Sequence, residues 1–259
     1  MKKILFLGYS KKETKLINFL VKKKKFQIFN ISGRTTLKYL KKFDVIISFG
    51  YKHIISKEII KKLKKKIINL HIGFLPFNRG SHPNFWSFLE DTPTGVSIHE
   101  MDGGIDTGNL IFRKFIDFKI YKNFKVLTFK KTHKILIGEI EDLFIENHDK
   151  IINYRYKSYK QIGKGSFHKK NDLPDILKTW NQNIFKTINK HNNYQKTFLE
   201  NKLKIITKIE NTRKNNNINW MNIVRNSLSL SPKKTLELLK SINQDDQKIS
   251  KYFKLLNEN

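Results

Sequence analysis

Apolar residues along this chain fall into short blocks whose period changes from one block to the next. "KKILFLGY" is a continuous apolar run of strand length, and in the "SKKETKLINFLVKK" that follows, Leu16, Phe19 and Leu20 share a face at helical spacing, as do Ile17 and Val21. "FQIFNIS" then reads as a strand, "TTLKYLKKF" as a helix, "DVIISFG" as a strand ended by glycine, "SKEIIKKLKKK" as a short helix and "IINLHI" as a further strand. Strands alternating with helices predict an α/β fold with a mostly parallel sheet covered on both faces. Ligands of such sheets gather beyond the carboxyl ends of the strands, where "SFGYKHI" and "NLHIGFLP" fall.

Later, Val96, Ile98 and Glu100 alternate as in a strand, and "TFKKTHKILIGEIEDLFIENHDKII" reads as a long amphipathic helix. "YKSYKQIGKGSFHKKNDL" is polar and predicts a loop; its Gly-x-Gly follows no strand and carries no nucleotide fingerprint. The last stretch predicts two or three short helices, one starting near Pro232 behind a Ser231 cap. The expected organisation is a catalytic domain over 1–155, a loop and helical extension over 156–212, and a helical segment over 213–259. In that segment the polar run Arg213 to Asn219 reads as a connector. Beyond it Trp220, Met221, Ile223, Val224 and Leu228, then Leu236, Leu239, Ile242 and Ile249, make stripes that need cover. They would pack on the chain's own core or dock another copy, so a homodimer is one expectation.

Composition changes this picture little. The 259 residues suffice for a proper core, and with no cysteine there are neither disulfides nor thiolate metal sites. The N-terminal apolar run is too short for a signal peptide, and no stretch resembles a membrane span, so a cytoplasmic protein is expected. A net charge of +30 invites a nucleic-acid or membrane-surface role. Only six of the 52 basic residues are arginine, however, and arginine is what bidentate readers of nucleic acid use. A Lys-, Ile- and Asn-rich usage is also what an AT-rich genome produces, so nucleic acid is the weaker expectation.

The chemistry-bearing residues cluster. Asn69 and His71 stand two apart at a strand end and so point to one side. Behind them "GFLPFNRGSHPNFW" is a loop stiffened by Pro76 and Pro83 and sharpened by Gly73 and Gly80. A second cluster, "TGVSIHEMDGGIDTGNLI", places Asp106 after a tight bend at Gly103 and Gly104. His71, His82 and His99 lack the close-spaced acidic partners of a metal motif, and no metal is expected.

The elements "NLHIGFLPFNRG", "PNFW" and "TGVSIHEMDGGIDTG", in this order and spacing, resemble the folate-dependent formyltransferases. That family acts on glycinamide ribonucleotide, methionyl-tRNA and amino sugars. The resemblance covers about Lys2 to Phe115 and implies a Rossmann-like formyltransferase fold with Asn69, His71 and Asp106 as the catalytic centre. It implies 10-formyltetrahydrofolate as formyl donor, its pterin lined by Gly50, His53, Ile54, Ile55, Ile60, Asp102, Gly103, Gly104 and Ile105. Formyl transfer to an amine passes through a tetrahedral carbon bearing an oxyanion, to which Asn69 and a protonated His71 would donate. Asp106 would orient the imidazole, raise its pKa and collect the proton leaving the amine, directly or through water.

"SHPNFWSFLEDTPTGVSIHEMDGGIDTG" and "QIGKGSFHKKNDL" look most like sugar N-formyltransferases, whose acceptor is a nucleotide-linked amino sugar used for surface polysaccharides. Phe77, Asn78, Arg79, His82 and Trp86 are the expected substrate contacts, with Arg79 and His82 facing the diphosphate and Phe77 or Trp86 stacking on a ring. Methionyl-tRNA or another amine is the alternative acceptor. A basic nucleic-acid- or membrane-surface-binding protein without activity is the alternative from another class.

Overall fold

The computed structural model describes residues 1–121 and 124–257, with side chains except at 124, 209, 212, 213, 215–217, 246 and from 249 onward. The first residues form β1 (Lys2–Gly8), α1 (Lys15–Lys22), β2 (Phe26–Ile31), α2 (Leu37–Leu40), β3 (Val45–Phe49), α3 (Lys57–Lys62) and β4 (Ile67–His71). There follow β5 (Arg79–Gly80), α4 (Pro83–Leu89), β6 (Gly95–Glu100), β7 (Leu110–Phe115), α5 (Phe129–Ile152) and β8 (Phe167–His168), then α6 (Ile184–Leu230) and α7 (Pro232–Asn257). A six-stranded sheet runs β2-β1-β3-β4-β6-β7. It is parallel from β2 through β4 and antiparallel at β4–β6 and β6–β7.

The strands read as continuous apolar runs because both faces are covered. Ile4 and Phe6 of β1 pack in one core with α1, α4 and α5 residues such as Leu16, Phe85 and Ile140. Leu5 and Leu7 turn to the other core, with Leu40, Phe43 and Leu63. Thr14 caps α1 by accepting from Leu16 N, and buried Glu141 of α5 accepts from Thr14 Oγ1 and Lys15 N, which ties α1 to α5. At the sheet centre the register sets Asn69 of β4 beside Ser48 of β3 and directly opposite His99 of β6.

The chain divides into two compact units, Met1–Asn192 and Asn193–Asn259. The first therefore includes the polar segment 156–192, most of which is irregular. Within it β8 pairs in parallel with β5, and Tyr159 bridges Leu110. Two-residue strands have no period, which is why the sequence shows only a loop there.

The second unit corrects the expected connector. The run Arg213–Asn219 lies inside α6, because no Gly or Pro interrupts the chain between Pro174 and Pro232 and a polar helix can continue through Asn and Lys. Helix α7 does begin at Pro232, so this region holds two long helices rather than several short ones. Val224 is buried there, whereas Trp220, Met221, Ile223, Leu236 and Ile242 are exposed. The side chain of Ile249, one of the expected stripe residues, lies outside the described residues. Among the described residues no helix is long and apolar enough to cross a membrane.

Candidate active site

The three residues singled out from sequence converge. Asn69 Nδ2 donates to Asp106 Oδ1 at 3.1 Å, and His71 Nδ1 stands 3.5 Å from Asp106 Oδ2. Strand geometry delivers the first two side chains; Asp106 comes from a loop and sits in the left-handed region at φ +52°. Its carboxylate also accepts from Gly80 N at 2.9 Å. Gly73 has to be bare, since a Cβ there would fall 2.5 Å from His71 Nε2.

A fourth polar group, His99, stands against these three from the side of the neighbouring cavity. His99 is 1% exposed, and its Nδ1 donates to the Glu100 carbonyl at 2.8 Å. That fixes the tautomer in a neutral ring and leaves Nε2 to accept from Asn69 Nδ2 at 3.0 Å, with Asp106 Oδ1 at 3.3 Å. Asn69 thus points its amide nitrogen at an imidazole and a carboxylate together, and both its N–H groups have acceptors within the protein. The reversed amide would set its oxygen against the carboxylate.

The charges follow from burial and proximity. Burial pushes the Asp106 carboxyl up, but the pull of the His71 and His99 rings in their protonated forms, together with the Gly80 amide, outweighs it and holds the group well below the usual carboxylate range. For His71 the balance is opposite: burial lowers its pKa below 6.5, and the raising effect of Asp106 is the smaller one. The imidazole rests neutral beside an ionised Asp106.

Behind the chamber, Gln161 Nε2 donates to the backbone oxygens of Asp106 at 2.7 Å and Gly108 at 2.8 Å. Arg79 grips the other end, its Nε and Nη2 donating to Gln161 Oε1 at 3.0 and 2.8 Å. Arg79, expected to face a diphosphate, thus braces the scaffold through Nε and Nη2. Asn78 is likewise buried, bonded to Thr92 and Ser166, and Trp86 is buried with its ring stacked 3.9 Å from that of His168. Phe77 is half-buried beside them.

Three cavities meet this centre. The chamber itself, about 230 Å³, is walled by Asn69, His71, Asp106, Tyr9 and Gly50. A second cavity of about 440 Å³ shares Asn69, Gly80 and Asp106 with it. Six of the residues implied for the pterin line that second cavity: His53, Ile54, Ile55, Asp102, Gly104 and Ile105. Gly50 lines the chamber instead, while Ile60 packs into the core beneath and Gly103 lies against Lys57. The third cavity, about 580 Å³, holds His82 and meets the chamber at Ile72 and Pro83. Among the described residues no group of three or more His, Cys, Asp or Glu is placed to hold a metal ion.

Residues 6–134 match the formyl transferase family model. The formyltransferase PseJ from Anoxybacillus kamchatkensis, solved with UDP-4,6-dideoxy-4-formamido-L-AltNAc and tetrahydrofolate, is 33% identical. The match covers 72% of this chain and 97% of that one, with a TM-score of 0.64. The N-formyltransferase of Helicobacter canadensis, solved with folinic acid and dTDP-3-aminofucose, shares the fold at 21% identity and a TM-score of 0.56, covering 69% of this chain and 74% of that one. The methionyl-tRNA formyltransferase of Prochlorococcus marinus (strain MIT 9515) is 33% identical over 64% of this chain, which spans 54% of that protein's length. Fold and site thus define a formyl-transfer scaffold built on a Rossmann-like sheet. The chain belongs to the formyltransferase family.

Proposed function

We propose that the protein moves the formyl group of 10-formyltetrahydrofolate to the primary amine of a nucleotide-linked amino sugar. The observation that carries this reading is the convergence of Asn69, His71 and Asp106, with His99, where two large cavities meet. The 440 Å³ cavity suits a reduced pterin: Ile55, Met101 and Ile105 offer apolar wall, Asp102 and His53 polar atoms, and Lys52, Lys169 and Lys170 positive charge for a carboxylate tail. The bound donor supplies an activated formyl carbon, and the rest of the chemistry falls to side chains.

Neutral His71 is competent to take the proton that the attacking amine sheds and to return it to the donor nitrogen as its bond to the formyl carbon breaks, and the imidazolium between the two transfers is stabilised by Asp106 at 3.5 Å. Asn69 offers an N–H to the oxygen on which charge develops, releasing one of its two internal acceptors to do so. His99 and Asp106 keep that N–H pointed inward.

The nucleotide-sugar acceptor is supported by the ligand of the Anoxybacillus protein, which this chain matches over 97% of that protein's length. Similarity to methionyl-tRNA formyltransferases favours a second reading with aminoacylated tRNA as acceptor. Mass spectrometry after incubation with 10-formyltetrahydrofolate separates the two. A gain of one formyl group on a member of a UDP- and dTDP-amino-sugar panel is expected. Formylation of methionyl-tRNA alone would replace the sugar reading, and no transfer to either would remove the activity.

A further inference from the structure

The second unit carries apolar side chains that its own helices leave in water. On α6, Tyr194, Phe198, Leu199, Leu203, Ile205 and Ile206 are each 49% to 66% exposed. At about 100° per residue they occupy one half of the helix, from Tyr194 round to Leu203, and the exposed Trp220 and Ile223 fall on the same half further along. Among the described side chains the opposite half bears Lys196, Lys204, Lys208, Lys214 and Arg225 against one acid, Glu200, and its one large apolar residue is Ile218. Lys202 lies within the apolar half, its Nζ 5.3 Å from the centre of the Phe198 ring. An apolar face of this extent, rimmed by charge, marks a place of contact. The Anoxybacillus formyltransferase is matched over 97% of its length by 72% of this chain, which leaves over a part of the chain as large as the second unit.

We infer that α6 lies along an anionic lipid surface, its apolar half sunk at the boundary of headgroups and acyl chains and its lysines turned to the lipid phosphates. Lys and Arg on one side of a helix with Tyr, Phe, Trp, Leu and Ile on the other is the layout of a helix that rests in the plane of a membrane interface. Charge separates this occupant from its rivals. A second copy would bring Lys202 and the flanking lysines up against their own equivalents, and like charges across an interface repel. RNA would satisfy the lysines through its phosphates but leave Leu199, Leu203, Ile205 and Ile206 in water. An anionic bilayer answers both halves at once, since it removes the apolar side chains from water and attracts each basic residue near its surface. The long stem of Lys202 lets its ammonium reach back to the headgroups while its neighbours sink. A net charge of +30 draws the rest of the chain the same way. None of this depends on the donor and acceptor assigned above.

Flotation of the full chain with vesicles of phosphatidylcholine, alone or mixed with phosphatidylglycerol, tests this. The protein should float with the mixed vesicles and stay behind with the neutral ones, and added salt should weaken the association. Phe198→Ser combined with Ile205→Ser should lower the partition coefficient about tenfold or more, with helix content by circular dichroism unchanged because both positions are exposed. Ile205→Ser alone, carried beside it in case the double variant misfolds, should show part of the same loss. Lys196→Glu combined with Lys204→Glu should also release the protein from the mixed vesicles. No flotation of the wild type with the mixed vesicles overturns the inference. Flotation that the folded serine variants leave unchanged overturns it too, because the attraction would then be that of a basic surface alone. A dimer by light scattering that the serine variants dissociate, with no vesicle binding, would give the face to a second copy. Retention of tRNA that the glutamate variant loses, again with no vesicle binding, would give it to nucleic acid.

Discussion

Two walls of the same chamber are held by different physics. Asn69, His71 and His99 rise from β4 and β6 near the centre of the sheet, where backbone register fixes where each side chain starts. Asp106 comes from a loop, in a left-handed conformation whose cost is of order 1 kcal/mol or more, and hydrogen bonds hold it in place. Gly80 N and Asn69 fix its carboxylate, and Gln161 fixes its backbone oxygen. The strand wall can lose a side chain and keep its shape. The loop wall depends on every bond that pins it, yet it carries the charge that the strand wall needs.

The largest effect should come from removing that charge. Asp106→Asn keeps the shape but takes away the anion that stabilises an imidazolium at His71, and turnover should fall about 10²- to 10⁴-fold. The pH profile sharpens the point. With His71 acting as a neutral base, activity falls on the acid side as the ring protonates, with a midpoint below 6.5. Asp106 raises that pKa, so the residual activity of Asp106→Asn should persist to lower pH than in the wild type. An acid limb that stays fixed, or moves upward, would show that another group titrates.

On the strand wall, His99 should matter less, because it acts through Asn69. His99→Phe removes the acceptor at 3.0 Å and leaves the Asn69 N–H free to turn away, so kcat should drop roughly 10- to 10²-fold, by more than folate KM changes, although the ring also lines the donor's cavity. His99→Gln, which retains an amide oxygen, should recover part of the loss. A fall in KM-side affinity with kcat intact would place His99 in donor binding instead.

The two walls were also unequally legible in the sequence. Asn69 and His71 could be read because a period-two offset at the end of an apolar run puts them on one side, and Asp106 because glycines mark its turn. Their joint meaning came from a resemblance. His99 sits in a readable strand, but its role depends on the antiparallel pairing of β4 with β6, which neither segment displays alone. Arg79 and Trp86 looked substrate-facing because they occupy the loop after His71; their partners, Gln161 and His168, lie about 82 residues further on in a segment without periodicity. Helix α4 gave no amphipathic signal because Pro83 through Ser87 are all buried, so it has no polar face over most of its length.

The smallest of the three effects falls on the pins of the loop wall, and its direction is the most specific. Gln161 accepts from Arg79 and donates to two carbonyls, so it works only as an amide. Gln161→Ala removes the bridge and lets the Asp106 turn relax, which should cost turnover about tenfold, since such a hydrogen-bonded brace contributes about 1.4 kcal/mol. Gln161→Glu, usually the milder change, should be at least as harmful: the carboxylate pairs with Arg79 but faces the carbonyls of Asp106 and Gly108 with no N–H to give them. Both variants should leave the folate titration close to wild type at the His53–Ile55 side of its cavity, which Gln161 does not line. Near wild-type turnover for Gln161→Glu with a tenfold loss for alanine would mean that only the Arg79 contact counts, and the loop would then be held by Gly80 and Asn69 alone.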